Sequence, residues 1–189
     1  MADTRPSYQI AAQAIRPYVQ PLWPGALAMP FDTRDEQGRK IALADDHISG
    51  QHLIMAFLAD PESEGAAALL RALAAMEAAF EAANATVLAI SASSDATRNK
   101  AQKRTAGFGW PIIGDASGAL FASYGLHKGT DRTARLVLVT PFRQIRTWFD
   151  IEGDASTALG TIMDILHTAQ AAEETRWSPP HAPVLVVPN

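Results

Sequence analysis

The chain has 189 residues, 48% of them hydrophobic and 19% charged, with a formal net charge of −4. That length points to one domain with appendages, and the apolar fraction suffices for a sizeable core. The mild acidity offers no attraction for nucleic acid or an anionic membrane, and apolar runs as short as Val184 to Val187 cannot span a bilayer. The polar start MADTRPSYQI lacks the apolar core of a secretion signal, so the expected location is the cytoplasm. There is no cysteine, which removes disulfides, thiolate nucleophiles, thiolate metal sites and C-x-x-C motifs together.

Residues 7–19 read as a short amphipathic helix ended near Pro17, followed by a Pro/Gly-rich lead-in, PLWPGALAMPF. Residues 31–45 read as a hairpin turning at Asp35-Glu36-Gln37-Gly38, where glycine supplies the positive φ. Residues 52–59 are continuously apolar, the pattern of a strand buried on both faces. A helix is predicted over 62–83, with Leu69, Leu70, Leu73, Met76 and Phe80 at helical spacing. A second buried strand covers 85–91. Ser94 or Asp95 caps a polar helix that Gly107 closes.

Residues 111–115 read as a short extended segment, and GALFASYG as one or two helical turns. Two strands at 135–141 and 144–151 flank a turn at Pro141-Phe142, and a last helix covers 155–173. The order ββ–βα–βα–βα–ββ–α implies an α/β fold, a mixed sheet with helices on both faces. The expected organisation is a lead-in over 1–21, a domain over 22–173, and a linker opening a possible further domain over 174–189.

Several pieces, in this order, resemble the peroxiredoxins, the alkyl hydroperoxide reductase and thiol-specific antioxidant group. Gly25-Ala26-Leu27-Ala28-Met29-Pro30-Phe31 is similar to that family's G-D-x-A-P-x-F segment, and Asp35-Glu36-Gln37-Gly38 to its D-x-x-G turn. Val87 to Ser91 is similar to V-x-x-I-S, and Trp110 to Asp115 with Tyr124-Gly125 to F-P-x-x-x-D and Y-G. The resemblance spans about residues 22–170 and implies a thioredoxin-like fold. Thioredoxins proper fit less well, since C-x-x-C and a proline near Gly129 to Thr133 are both missing.

The same resemblance locates a reaction site. The family motif P-x-x-x-T-x-x-C, aligned without gaps from Phe57, places its proline on Ala59, its threonine on Ser63 and its cysteine on Ala66. A register slip of two brings in Pro61 but no cysteine. Peroxide reduction needs a thiolate, which alanine lacks, and an unactivated serine hydroxyl does not replace it. The family's arginine falls near Arg132 or Arg135; Arg135 is read either as its remnant or as a solvated strand-end charge. Asp60, Glu62 and Glu64 make the helix entrance acidic.

Trp110 reads either as a wall of this opening or as ordinary core, and His127 as a possible pocket residue. His52 reads as structural and His167 as a surface residue. His47 and His181 stand apart, and no H-x-x-x-H or H-x-D pair occurs, so neither a metal nor any cofactor is expected. Lys100, Lys103 and Arg104 read as a solvated basic face.

The ending APVLVVPN resembles the opening strand of iron- and 2-oxoglutarate-dependent dioxygenases of the prolyl-hydroxylase type, which implies an attached catalytic domain. The expected function is a peroxiredoxin-like domain without its cysteine, a binding or oligomerisation module forming a homodimer or serving an attached enzyme. The alternatives are an oxidoreductase with the family's antioxidant activity, or an enzyme using the emptied pocket through Arg135, Ser63 or His127.

Overall fold

A computed structural model describes residues 23–45, 48–126 and 134–177, with side chains through residue 172. The helix expected at 7–19, the apolar run at 184–187, and His47, His127, Arg132 and His181 lie outside the described residues.

The described chain begins with a small antiparallel hairpin, β1 (Asp32–Arg34) and β2 (Lys40–Ala42). The main sheet has five strands: β3 (His52–Leu58), β4 (Ala85–Ser91), β5 (Ile112–Gly114), β6 (Ala134–Val139) and β7 (Ile145–Ile151). Its spatial order is β5-β4-β3-β6-β7, with β3, β4 and β5 parallel and β6 and β7 antiparallel to their neighbours. The fold is thioredoxin-like in its peroxiredoxin variant, a mixed sheet with helices on both faces and an N-terminal hairpin.

β3 is central, and all seven of its residues are buried. Ile54, Ala56 and Leu58 face one core, and Leu53, Met55 and Phe57 the other. The first core receives α1 (Glu64–Ala75), α2 (Glu77–Ala82), α3 (Ala96–Ala106) and α5 (Ser156–Trp177) through Leu69, Phe80, Ala106 and Ile162. The second receives the hairpin and α4 (Ala119–Ser123) through Ile41, Phe121 and Tyr124. Each large apolar side chain so buried contributes about 1.5–3 kcal/mol.

The helix expected over 62–83 is two helices. The Met76 N–H bonds to the Leu73 carbonyl at 3.0 Å, a three-residue closure that tightens and ends α1. The apolar spacing survives the break because α2 starts at once and delivers Phe80 to the same core. Asp95 caps α3 by accepting from the Thr97 and Arg98 amides, and Gly107 closes it at φ +65°.

Both sheet edges are partly covered. The hairpin turn lies across β5: Asp35 bridges Ile113, and the Glu36 N–H donates to the Ile112 carbonyl at 3.0 Å. The Glu36 carboxylate, 1% exposed, accepts from the Ile112 N–H at 2.8 Å and from Lys103 Nζ at 2.9 Å. At the other edge, the Gly25 N–H donates to the Ile145 carbonyl and the Ile145 N–H to the Ala26 carbonyl.

Candidate functional site

The C-terminal end of β3 leads through Ala59 into a tight loop, Asp60 to Ser63, and then into α1. Ser63 is the N-cap residue: its hydroxyl donates to the Asp60 carbonyl at 2.7 Å and accepts from the Ala66 N–H at 3.1 Å. The hydroxyl's one proton is committed to a backbone carbonyl, not to a base, which leaves it unactivated. Glu64 at the first turn favours the helix dipole and also pairs with Arg71. Helix α3 braces the loop through Arg98 to Glu62 and through the Gln102 amide to the Pro61 carbonyl.

A pocket of about 440 Å³ opens at this helix entrance. Ala59, Ser63 and Ala66 come together in its wall, facing Ala134 and Ile151 from the other side. Ala66 is 3% exposed and presents a methyl group to this wall. The ionisable residues of the wall are Asp60 and Glu152, and neither meets a cation within ion-pair distance among the described residues. The wall thus combines methyl groups, a committed serine and two carboxylates. Its described residues include no activated nucleophile, and no basic side chain to stabilise an anion.

Arg135 lies on the opposite face of the sheet. Within β6, Leu136 and Leu138 face the first core, and Val137 and Val139 the second. The period of two sends Ala134 to the pocket and Arg135 to the far side. There Arg135 Nε donates to Asp150, its direct cross-strand partner, at 2.6 Å, and Nη1 donates to the Tyr124 carbonyl at 2.6 Å. The guanidinium, 13% exposed, therefore closes the C-terminal end of α4 and ties it to β7.

Trp110 also lies away from the pocket. It is 9% exposed and packs in the first core, 6.2 Å from Phe80 and 5.7 Å from Phe108 between ring centroids. His52 is buried at the start of β3, and His167 is exposed on α5. Among the described residues, no group of three or more His, Asp or Glu side chains has an arrangement that would hold a metal ion. No described helix is long and apolar enough to cross a membrane.

Two buried groups carry shifted proton affinities. Burial raises that of Asp35, but hydrogen bonds from the Arg39 side chain and from the Arg39 and Gln37 amides outweigh it. The net effect holds this carboxyl below its ordinary value of 3.8. Burial pushes the Tyr124 phenol up, opposed only by the Met29 N–H that its oxygen accepts at 3.2 Å. The Asp35 carboxyl holds the hairpin turn together, and the Tyr124 phenol ties the lead-in to the domain. The burial of Glu36 had no sequence signal, because a carboxylate in a turn is ordinarily solvated and its main-chain partner is 76 residues away.

A family model described as AhpC/TSA matches residues 24–147. Among solved structures, the chain is similar to the peroxidoxin BcpB of Mycobacterium tuberculosis, with a TM-score of 0.68 at 16% identity, covering 77% of this chain and 96% of that one. It is similar to the bacterioferritin comigratory protein of Xanthomonas campestris, a protein described by its alkyl peroxide reduction activity. That match has a TM-score of 0.65 at 17% identity and covers 77% and 98% of the two chains. The thioredoxin domain of a thiol-disulfide oxidoreductase from Bacteroides vulgatus gives 0.62 at 17% identity, covering 77% and 99%. No curated protein sequence matches the chain.

Proposed function

This chain belongs to the AhpC/TSA family, and we propose that within it the domain is a non-catalytic binding or oligomerisation module. The observation that carries this reading is the pairing of Ala66 with Ala134 across the pocket, a methyl group on each side. Reduction of a peroxide by this fold requires a thiolate attacking an O–O bond, stabilised by a neighbouring cation. A chain without sulfur nucleophiles, whose Arg135 is bound to Asp150 on the other face, is poorly suited to that chemistry. The repurposed-pocket alternative gains little support, because Ser63 and Arg135 both serve as helix caps.

A peroxide-consumption assay on the pure protein with a thiol reductant tests the reading. Turnover is expected to equal the protein-free blank, and thiol-dependent consumption that scales with protein concentration overturns it. The module would act by forming a homodimer or by serving an attached catalytic domain of the dioxygenase type, to which residues 174–189 would lead. Sedimentation of the domain, and of a full-length parent with and without residues 1–175, separates these roles. An unchanged oligomeric state and unchanged activity after deletion would remove both.

A further inference from the structure

We propose that the basic corner formed by α3 and the hairpin turn binds an acidic segment of a partner polypeptide, with its carboxylates spread along an extended chain. An open groove of about 560 Å³ lies there. Lys100, Lys103 and Arg104 line it from α3, at the i, i+3, i+4 spacing of a single helix face. Gln37 borders it from the hairpin turn, and Gly107 and Phe108 lie beneath. None of these residues belongs to the pocket at the α1 entrance, so the inference stands apart from what that pocket does.

The charges of this corner are not neutralised from within. The chain as a whole is acidic, with 20 Asp and Glu against 16 Lys and Arg. Elsewhere that excess finds its cations: Arg71 pairs with Glu64, Arg98 with Glu62, and Arg135 with Asp150. Lys100 and Arg104 are exposed, and neither meets a carboxylate within ion-pair distance among the described residues. They stand four residues apart, where like charges disfavour a helix. The carboxylates of the turn are already committed. Asp35 accepts from Arg39 and from the Gln37 and Arg39 amides, and Glu36 from the Ile112 N–H and Lys103. The Glu36 contact also anchors Lys103, 16% exposed, in the wall, and its ammonium keeps further hydrogens to donate.

The geometry also selects the kind of anion. A compact phosphate is ordinarily held by converging backbone N–H groups or by a helix N-terminus. Here α3 presents its C-terminal end, the negative pole of the helix. The Gly107 and Phe108 N–H groups are spent on the Arg104 and Lys103 carbonyls, at 3.2 and 3.0 Å. The free donors of the groove are therefore long side chains, whose reach suits carboxylates spaced along a chain. A Cβ at Gly107 would meet nothing within 4 Å, which leaves room for a backbone to cross. Nucleic acid fits less well. Phe108 is 3% exposed and offers no face for a base to stack on, and the net charge of −4 repels a long polyanion.

A nuclear magnetic resonance titration of the full 189-residue chain with an oligoglutamate peptide, at about 50 mM salt, tests this. Amide shifts are expected along Lys100 to Arg104 and at Gln37 and Phe108, with binding that weakens as salt rises. Lys100→Gln with Arg104→Gln is expected to weaken binding about three- to thirtyfold. Arg71→Gln with Arg143→Gln changes the net charge equally, on α1 and the β6–β7 turn, and should weaken binding less than about twofold. Circular dichroism checks that both variants keep the fold. Equal weakening by the two pairs overturns the proposal, because net charge alone would then account for the binding. Absence of shifts at the groove overturns it, as does displacement of the peptide by inorganic phosphate at matched ionic strength. Tighter binding of an oligonucleotide of the same charge would assign the corner to nucleic acid and overturn it equally.

Discussion

Introducing sulfur at Ala66 tests the electrostatics of the pocket at the α1 entrance. The substitution Ala66→Cys adds one atom at a position that already lines the pocket, in the first turn of α1. The helix N-terminus favours the thiolate, whereas Asp60 and Glu152 oppose it and no described cation faces it. These influences offset, so the thiol is expected to titrate near the ordinary value of about 8.5, leaving about 3% thiolate at pH 7. Adding Ala134→Arg brings a guanidinium onto the pocket-facing register of β6. An opposite charge within about 4–6 Å lowers a thiol by about 1–3 units, which raises the thiolate fraction roughly eightfold or more. Arg135→Ala in the Ala66→Cys background is expected to change reactivity less than about twofold, because its guanidinium lies across the sheet with Asp150. Iodoacetamide alkylation against pH measures all three, since the engineered thiol is the sole cysteine. The reasoning is refuted if Ala66→Cys alone alkylates as a strongly acidic thiol, or if Arg135→Ala slows it more than Ala134→Arg speeds it.

Glu36→Ala orphans the Ile112 N–H and leaves Lys103 without its carboxylate, at an expected cost of about 2–4 kcal/mol by urea unfolding. Glu36→Gln, which can still accept from Ile112, should cost less. Because the Asp35 carboxyl is held below its ordinary 3.8, it contributes stability above that value and loses it as pH falls through the folded-state value. Asp35→Asn should therefore flatten the acid limb of a stability profile measured from neutral pH downward. Gly114→Ala would set a Cβ 2.9 Å from the Ser93 carbonyl oxygen and 2.9 Å from Ser94 Cα, both backbone atoms. It should cost about 1–3 kcal/mol in thermal unfolding. Gly65→Ala, whose Cβ would meet nothing closer than Ser63 Oγ at 3.9 Å, should instead stabilise α1 by up to about 1 kcal/mol.

The elements were legible wherever pattern and punctuation agreed. The buried runs at 52–58 and 85–91 are strands because continuous apolar sequence suits a position between two helical layers. Asp95 and Gly107 bound α3 as their chemistry predicts. Local pattern could not reveal the break at Met76, because Leu73, Met76 and Phe80 keep helical spacing across it. Nor could it separate the two readings of Trp110, since an indole suits a pocket wall as well as a core.

By itself, the sequence determined the chemistry that is missing. A chain without cysteine has no thiolate in any conformation, and the order of its elements identifies a thioredoxin-like domain. Only the tertiary structure decided where the surviving charges act. β6 is apolar on both faces, so its residues carry no alternation from which the direction of Arg135 could be read. The pairing of β6 with β3 and β7 sets that direction: it turns Ala134 into the pocket and gives Arg135 to Asp150 and Tyr124. The burial of Glu36 is likewise decided by the hairpin meeting β5, a contact between groups far apart in the chain.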